Sequence, residues 1–305
     1  MNVLDPDELR ARVAALSVWS QNGERAPHKP LLLLLALGHF ASGQRDLPFS
    51  VVEPALADLL RAFGPPRRPQ PELPFWWLRS DGLWELSGTG SLTMRKGSNA
   101  PTVTSLRKED PIGRLPDEVR ATLRAHPALT IELARTILAA HFPASLHGEI
   151  LGAVGLNADA VPTAPRRRRD PRFRDDVLRA YGYRCAVCGF EVRVGPALVG
   201  VDAAHVMWHQ AGGPDEIPNG LALCALHHRL LDRGAFTLAS SGSHETVVEV
   251  AETAHGGEGF ERWLLDYHGR PIARPVSVSY RVAEPSVAWH RREVFRGPAR
   301  ERATG

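Results

Sequence analysis

Between residues 185 and 232 the chain reads CAVCGFEVRVGPALVGVDAAHVMWHQAGGPDEIPNGLALCALHHRLLD, and all three of its cysteines lie in this stretch. Cys185 and Cys188 form a CxxC pair, and Cys224 and His227 form a later CxxH pair. Three thiolates and one imidazole have the number and softness that a single tetrahedral Zn²⁺ takes. Ligation by His227 rather than His228 follows the CxxH spacing, although adjacent histidines could exchange the role. His205, Asn219 and His228 remain outside this zinc staple. Hydrolysis of a phosphodiester needs a base for water, a cation on the scissile phosphate and a stabilised leaving oxygen. A neutral imidazole titrates near working pH, which makes His205 the candidate base. His228 is the candidate ligand of one divalent ion, Mg²⁺ or Mn²⁺. Asn219 would orient His205 or fix the loop through its side-chain amide, and His209 reads as an ordinary loop histidine.

The surrounding pattern says how these residues are positioned. ALVGVDAAHV (197–206) reads as an apolar strand ending at His205, GLALC (220–224) as a short return strand, and ALHHRLLDRG (225–234) as one or two helical turns. That is a ββα unit folded about a metal, because Cys185 and Cys188 precede the first strand while Cys224 and His227 open the helix. A small unit with little core draws much of its folding free energy from the metal. Asp202 lies three residues before His205 and would face the other side of a regular strand. It joins the divalent ion as a second ligand only if the strand bends.

The strings VDAAHV, NGLALC and HHRLLDRGAFTL resemble the HNH nucleases, specifically their McrA-type, zinc-stapled branch, over about fifty residues. The resemblance implies the same three roles for His205, Asn219 and His228. One position departs from it: many HNH enzymes carry Asp or His immediately before the base, and here that residue is Ala204.

At 305 residues and 43% hydrophobic content the chain can hold two domains with packed cores. It shows no charged-then-apolar leader and no apolar run long enough to span a membrane, and LLLLLALGHFA (31–41) has the length of a buried helix. Cysteines in metal spacing suit a reducing compartment, so the expected location is cytoplasmic. The net charge is only +3, but of 37 basic residues only Lys29, Lys96 and Lys108 are lysine. A GC-rich genome accounts for such a bias, so position is more informative than number. RRRR at 166–169, with Arg172 and Arg174 behind it, is a basic cluster suited to a DNA backbone; a solvated linker run is the plainer alternative.

Along the first half, DPDELRARVAALSVWS (5–20) has helical spacing with acidic residues at its start, and the break at Asn22-Gly23 ends it. His28 and Lys29 sit between two prolines at the start of the apolar run, where a helix N-terminus favours anions. SVVEPALADLLRAFG (50–64) reads as a helix ending at Gly64. LPFWWLRSDGLWEL (73–86) reads as a hairpin about Asp81-Gly82, carrying Trp76, Trp77 and Trp84. MRKGSNAPT (94–102) is a candidate recognition loop, and residues 116–141 read as helical. Beyond the metal stretch, GAFTL and ETVVEVA read as paired strands and FERWLLDYHG as a short helix. The expected class is α+β: a helix-rich N-terminal DNA-recognition domain with a small β-hairpin (1–155), a proline-containing linker (156–172) and a zinc-stapled ββα-metal HNH nuclease domain (173–305).

APHKPLLLLLALG and LPFWWLRSDGLWEL are similar to the sulfur-binding domain of phosphorothioate-dependent restriction endonucleases, and its combination with a C-terminal HNH resembles the two-domain SprMcrA type. The resemblance implies type IV restriction: cutting of double-stranded DNA in which sulfur replaces a non-bridging phosphate oxygen. Sulfur is larger and more weakly hydrated than oxygen, so a shallow apolar pocket penalises it less while cationic groups hold the remaining charge. By this resemblance His28 and Lys29 match a histidine-basic pair and Pro74 matches part of the wall. Leu73 stands where the family has Tyr. Trp77 would extend the wall, and Arg95 and Lys96 would contact backbone or base edges. Two other readings stay open: an HNH enzyme dependent on a modified base such as methylcytosine, and a zinc-containing DNA-binding protein without catalysis. Cutting both strands with one centre per chain needs a homodimer or two sequential nicks.

Overall fold

The computed structural model describes residues 3–19, 24–156, 171–241 and 245–301. Two compact units make up the chain, Met1–Thr163 and Ala164–Gly305. The Asn22-Gly23 break, the basic run 166–169 and most of the linker read at 156–172 lie outside the described residues.

The first unit is helix-rich. Asp5 starts α1 (Pro6–Ala14) by accepting hydrogen bonds from the backbone N–H groups of Asp7 and Glu8. α2 (His28–Ala41) begins three residues before the apolar run and buries every residue from Pro30 to Gly38. A helix apolar on all sides has to be wrapped. After β1 (Leu47–Pro48), α3 (Phe49–Phe63) stops at Gly64 and packs on α2. Then come α4 (Glu72–Trp77), β2 (Glu85–Ser87), α5 (Val103–Glu109), β3 (Ile112–Arg114), α6 (Asp117–Ala125), α7 (Pro127–His141) and α8 (His147–Ala153). α4 and α7 complete the wrapping of α2. The helical region 116–141 is two helices, parted at His126 because the residue before a proline is pushed out of helical conformation. Strands β1, β3 and β2 form an antiparallel sheet in that order.

The stretch 73–86 is not a hairpin. α4 is followed by a 3₁₀ turn at Leu78–Asp81, and Gly82 closes that turn with φ 69°. Only Glu85–Ser87 is strand, and it pairs with β3. Asp-Gly supplies the left-handed conformation that both a hairpin turn and a helix end require. LPFWWL, being a continuous apolar run, carries no period that separates the two.

The second unit contains α9 (Pro171–Ala180), β4 (Val192–Val194), β5 (Ala197–Val199), β6 (Val201–His205), β7 (Gly220–Cys224), α10 (Ala225–Asp232), β8 (Phe236–Ser240), β9 (Thr246–Val250), α11 (Glu258–Trp263) and α12 (Glu284–Glu293). The expected strand 197–206 is two strands. Gly200, at φ 77°, breaks it, so that β5 pairs with β4 and β6 pairs with β7. β7, α10 and the β8–β9 pair occur where the sequence pattern puts them. β6–β7 and α10 form the ββα unit, with Val201 opposite Cys224 and His205 opposite Gly220. Its apolar core is larger than a bare metal-stapled unit would have: Phe173 and Val177 of α9, Leu221 and Leu223 of β7, Phe236, Val250 and Val287 share one buried cluster. Among the described residues no helix is long and apolar enough to cross a membrane.

Candidate functional site

The CxxC turn is brought to β7 by backbone pairing. Ala186 N–H donates to Ala222 O at 2.8 Å, and Cys185 N–H donates to Phe190 O at 3.0 Å. This sets Cys185 and Cys188 beside Cys224, at the end of β7, and His227, in the first turn of α10. One ligand atom from each of the four lies within 4.8 Å of the others. Cys224 Sγ is 3.1 Å and Cys185 Sγ 3.7 Å from His227 Nδ1, and Cys188 Sγ is 3.9 Å from Cys224 Sγ. The other ring nitrogen, Nε2, donates to Trp263 O at 2.9 Å, which turns Nδ1 toward the sulfurs. Hydrogen bonds from Cys188 and Cys224 hold the Cys185 thiol well below the ordinary thiol range. Burial lowers the His227 pKa, but hydrogen bonds to Cys185 and Cys224 outweigh it and raise the group to about 9. Three free thiols and an imidazole converging on one point are a donor set that could hold zinc.

His205 ends β6 and is 9% exposed. Phe173 of α9 stacks on its ring, with centroids 4.1 Å apart and planes 18° from parallel. The approach of α9 depends on Gly220, where a Cβ would stand 2.4 Å from Val177 Cγ2 and 3.1 Å from Phe173 Cζ. Asn219, 1% exposed, clamps the loop between the two strands. Its Oδ1 accepts from Met207 N–H at 2.9 Å, while its Nδ2 donates to Met207 O and Pro214 O, each at 3.0 Å. That loop carries two groups that the sequence reading did not assign. Asp215 Oδ1 lies 2.7 Å from His205 Nε2 and 3.4 Å from His209 Nδ1. His205, His209 and Asp215 together could hold a metal ion. The only sequence signal for Asp215 was its place in a short Gly-Gly-Pro-Asp loop beside the base.

His228 and Asp202 are not in this cluster. His228 Nε2 is 3.5 Å from Asp232 Oδ2, one helical turn further along α10. β6 remains paired with β7 along its length, and Asp202, on the opposite side of the strand from His205, accepts from Arg174 Nε at 2.8 Å.

In the first unit the candidate sulfur-site residues gather around α4. His28 and Lys29 open α2, which packs on α4. Lys29 Nζ reaches Asp81 Oδ2, just past α4, at 2.6 Å. Leu73 is half-buried, Pro74 is buried and Trp77 is 37% exposed. The 94–102 loop is tied to the same helix: Arg95 pairs with Glu72 at 2.9 Å, and Trp76 Nε1 donates to Asn99 O at 2.7 Å. Lys96 is exposed on that loop. Arg79, which the sequence reading passed over, stacks 3.6 Å above the Trp76 ring. Burial, helped by the charge of Arg67, lowers the His28 pKa.

Residues 6–159 match the family described as ScoMcrA-like, DNA sulfur-binding domain, and residues 185–239 match the family described as HNH endonuclease. Among solved structures, the sulfur-binding domain of ScoMcrA complexed with phosphorothioated DNA is 28% identical, with 48% of this chain and 94% of that chain covered and a TM-score of 0.43. The sulfur-binding domain of SprMcrA complexed with phosphorothioated DNA is 22% identical, with 50% and 95% covered and a TM-score of 0.43. The type IV phosphorothioation-dependent restriction endonuclease ScoMcrA is 28% identical, with 57% and 33% covered and a TM-score of 0.41. No curated protein matches the chain.

Proposed function

Because the chain belongs to the ScoMcrA-like DNA sulfur-binding domain family, we propose that it is a modification-dependent DNA endonuclease that binds phosphorothioated double-stranded DNA through residues 1–155 and hydrolyses phosphodiester bonds with an HNH centre in residues 173–305. The observation that carries this reading is the presence, in one chain, of a sulfur-binding family match at 6–159 and an HNH endonuclease match at 185–239.

His28, Lys29, Leu73, Pro74, Trp77, Arg95 and Lys96 form the reading surface in this proposal. The half-buried Leu73 and the exposed Trp77 offer sulfur an apolar wall. His28, with its lowered pKa, serves at neutral pH as an uncharged N–H donor.

Cys185, Cys188, Cys224 and His227 hold a structural Zn²⁺. His205 is the base, Asn219 holds the loop, and His228, its ring beside Asp232, is a ligand for Mg²⁺ or Mn²⁺. The divalent ion, when bound, supplies positive charge at the scissile phosphate and the leaving oxygen. His205 takes a proton from water. The water oxygen bonds to phosphorus as the bond to the leaving deoxyribose oxygen breaks, and that oxygen takes a proton from solvent. Asp202, paired with Arg174, would first have to leave that partner to serve as a ligand. The unpaired thiols suit a reducing cytoplasm, and cutting both strands would take a homodimer or two successive nicks.

The test is cleavage of phosphorothioated, methylated and unmodified duplexes of one sequence with added Mn²⁺ or Mg²⁺. Cleavage of the phosphorothioated duplex alone is expected. Equal cleavage of all three, or a preference for the methylated duplex, would overturn the sulfur reading.

A further inference from the structure

We propose that Arg79 anchors the N-terminal unit to the DNA backbone, donating to a phosphate of the duplex from a guanidinium held flat on the Trp76 ring. The proposal rests on the reading of residues 1–155 as the part that binds phosphorothioated DNA.

Charge balance around α4 singles this residue out. A phosphorothioate keeps the negative charge of the phosphodiester it replaces, and the phosphates beside it keep theirs. The surface that meets them needs cations whose charge is not already matched. Lys29 Nζ is 2.6 Å from Asp81 Oδ2, and Arg95 Nη2 is 2.9 Å from Glu72 Oε1. Both carboxylates belong to side chains that are 10% exposed or less, so each pair is sheltered from water. Lys96 is exposed on its loop, and a flexible lysine loses rotamer freedom when it is fixed on a phosphate. Arg79 combines what the others lack. It is exposed, and among the described residues its guanidinium has no carboxylate or carbonyl partner. Its position is nevertheless set, with Cζ 3.6 Å from the centroid of the Trp76 ring.

The local fold explains that contact. Trp76 ends the apolar run of α4, and Arg79 lies three residues on, in the 3₁₀ turn Leu78–Asp81 that continues the helix. Side chains three apart on a helical backbone share a face. The indole underneath is fixed in turn: Trp76 is 5% exposed, and its Nε1 donates to Asn99 O at 2.7 Å. One ring therefore supports both Arg79 and the 94–102 loop that carries Arg95 and Lys96.

Stacking and hydrogen bonding use different parts of a guanidinium. The flat face lies on the indole, while the N–H donors point outward in the plane of the group. The cation–π contact orients Arg79 without occupying a donor, and its edge can meet two phosphate oxygens at once. Such a contact fixes where the duplex lies. It carries no preference for sulfur, which is left to the wall at Leu73, Pro74 and Trp77.

The experiment is equilibrium binding by the full chain to a phosphorothioated and an unmodified duplex of one sequence, across a salt series without added divalent metal. Wild type, Arg79→Ala, Arg79→Lys and Arg61→Ala are compared, with a thermal midpoint for each. Arg79→Ala should bind both duplexes about 10- to 100-fold more weakly. Its slope of log affinity against log salt should fall by about 0.9, with the ratio between the duplexes unchanged. Arg79→Lys, which keeps the charge and loses the planar fork, should keep the slope and recover only part of the affinity. Arg61→Ala is the control, an exposed cation already paired with Asp58 on α3, and should keep both slope and affinity. Wild-type slope and affinity in Arg79→Ala would overturn the proposal. So would an equal fall in slope for Arg61→Ala, which would mean a general charge effect, or a loss confined to the phosphorothioated duplex. Full affinity in Arg79→Lys would overturn the part given to the stacked fork. Equal binding of the two duplexes by wild type would instead overturn the sulfur reading, and a lowered slope in Arg79→Ala would still support the backbone contact.

Discussion

Lys29 Nζ lies 2.6 Å from Asp81 Oδ2, with the lysine side chain 16% and the aspartate side chain 6% exposed. Asp81 also accepts from Ser17 N–H at 2.8 Å. The cation proposed to meet DNA thus already has a buried partner. A free surface lysine that contacts one phosphate contributes about 0.9 to the slope of log affinity against log salt. Lys29→Met should change that slope by much less, measured as duplex binding across a salt series. It should also destabilise the N-terminal unit by about 3–5 kcal/mol, because Asp81 is left buried without its partner. A full loss of about 0.9 in slope with no loss of stability would mean that Lys29 points to DNA unpaired.

His28 has a pKa below its ordinary value, chiefly through burial and secondly through Arg67. The unfolded chain therefore takes up a proton at this position at a pH where the folded chain does not. Stability of the N-terminal unit should rise with pH up to about 6.5 and be level above it. On acidification it should fall from about pH 6.5 down through the folded-state pKa. Proton NMR titration of His28 checks the direction: its midpoint should lie below the ordinary value and move up in Arg67→Ala. A midpoint at or above the ordinary value would show that the ring is solvated.

What could be read from the sequence follows the range of each signal. The convergence of Cys185, Cys188, Cys224 and His227 was legible because CxxC and CxxH are local spacings whose chemistry admits few alternatives. Strand β7 and helix α10 were legible for a similar reason, since the cluster's second half opens on them. Asp81 and Asp215 were not legible. Asp81 belonged to an Asp-Gly turn with two structural meanings, and its partner Lys29 is 52 residues away. Asp215 lies ten residues from His205, and what brings them together is the three-bonded amide of Asn219, whose partners are backbone atoms without sequence identity. The Gly200 break in 197–206 was hidden for another reason: one glycine in an apolar run fits either a continuous strand or a bend.

The adjacent histidines of α10 should separate by metal content. His227 Nδ1 faces the sulfurs and His228 Nε2 faces Asp232. Metal analysis of purified protein should find one zinc per chain in wild type and in His228→Ala, and a clear loss in His227→Ala. Chelation should abolish cleavage and lower the thermal midpoint of the C-terminal unit. Because that unit also has a buried apolar cluster running from Phe173 to Val287, loss of zinc should loosen it rather than leave it wholly unfolded. Retention of zinc by His227→Ala together with its loss from His228→Ala would reverse the assignment.

Gly220 tests whether the nuclease centre depends on packing behind it. An added Cβ would meet Val177 Cγ2 at 2.4 Å, and Val177 is a stiff, fully buried side chain on α9. The helix has to shift for an alanine to fit, and overpacking of this kind costs about 1–3 kcal/mol. The same helix carries Phe173, whose ring lies 4.1 Å from that of His205. Gly220→Ala should therefore lower the cleavage rate as well as stability, while binding of phosphorothioated duplex through the N-terminal unit is unchanged. Gly259→Ala is the matched control, since a Cβ there meets nothing within 4 Å and the residue lies in α11. If Gly220→Ala loses stability but cuts at the wild-type rate, the Phe173 stack has no part in holding the His205 ring.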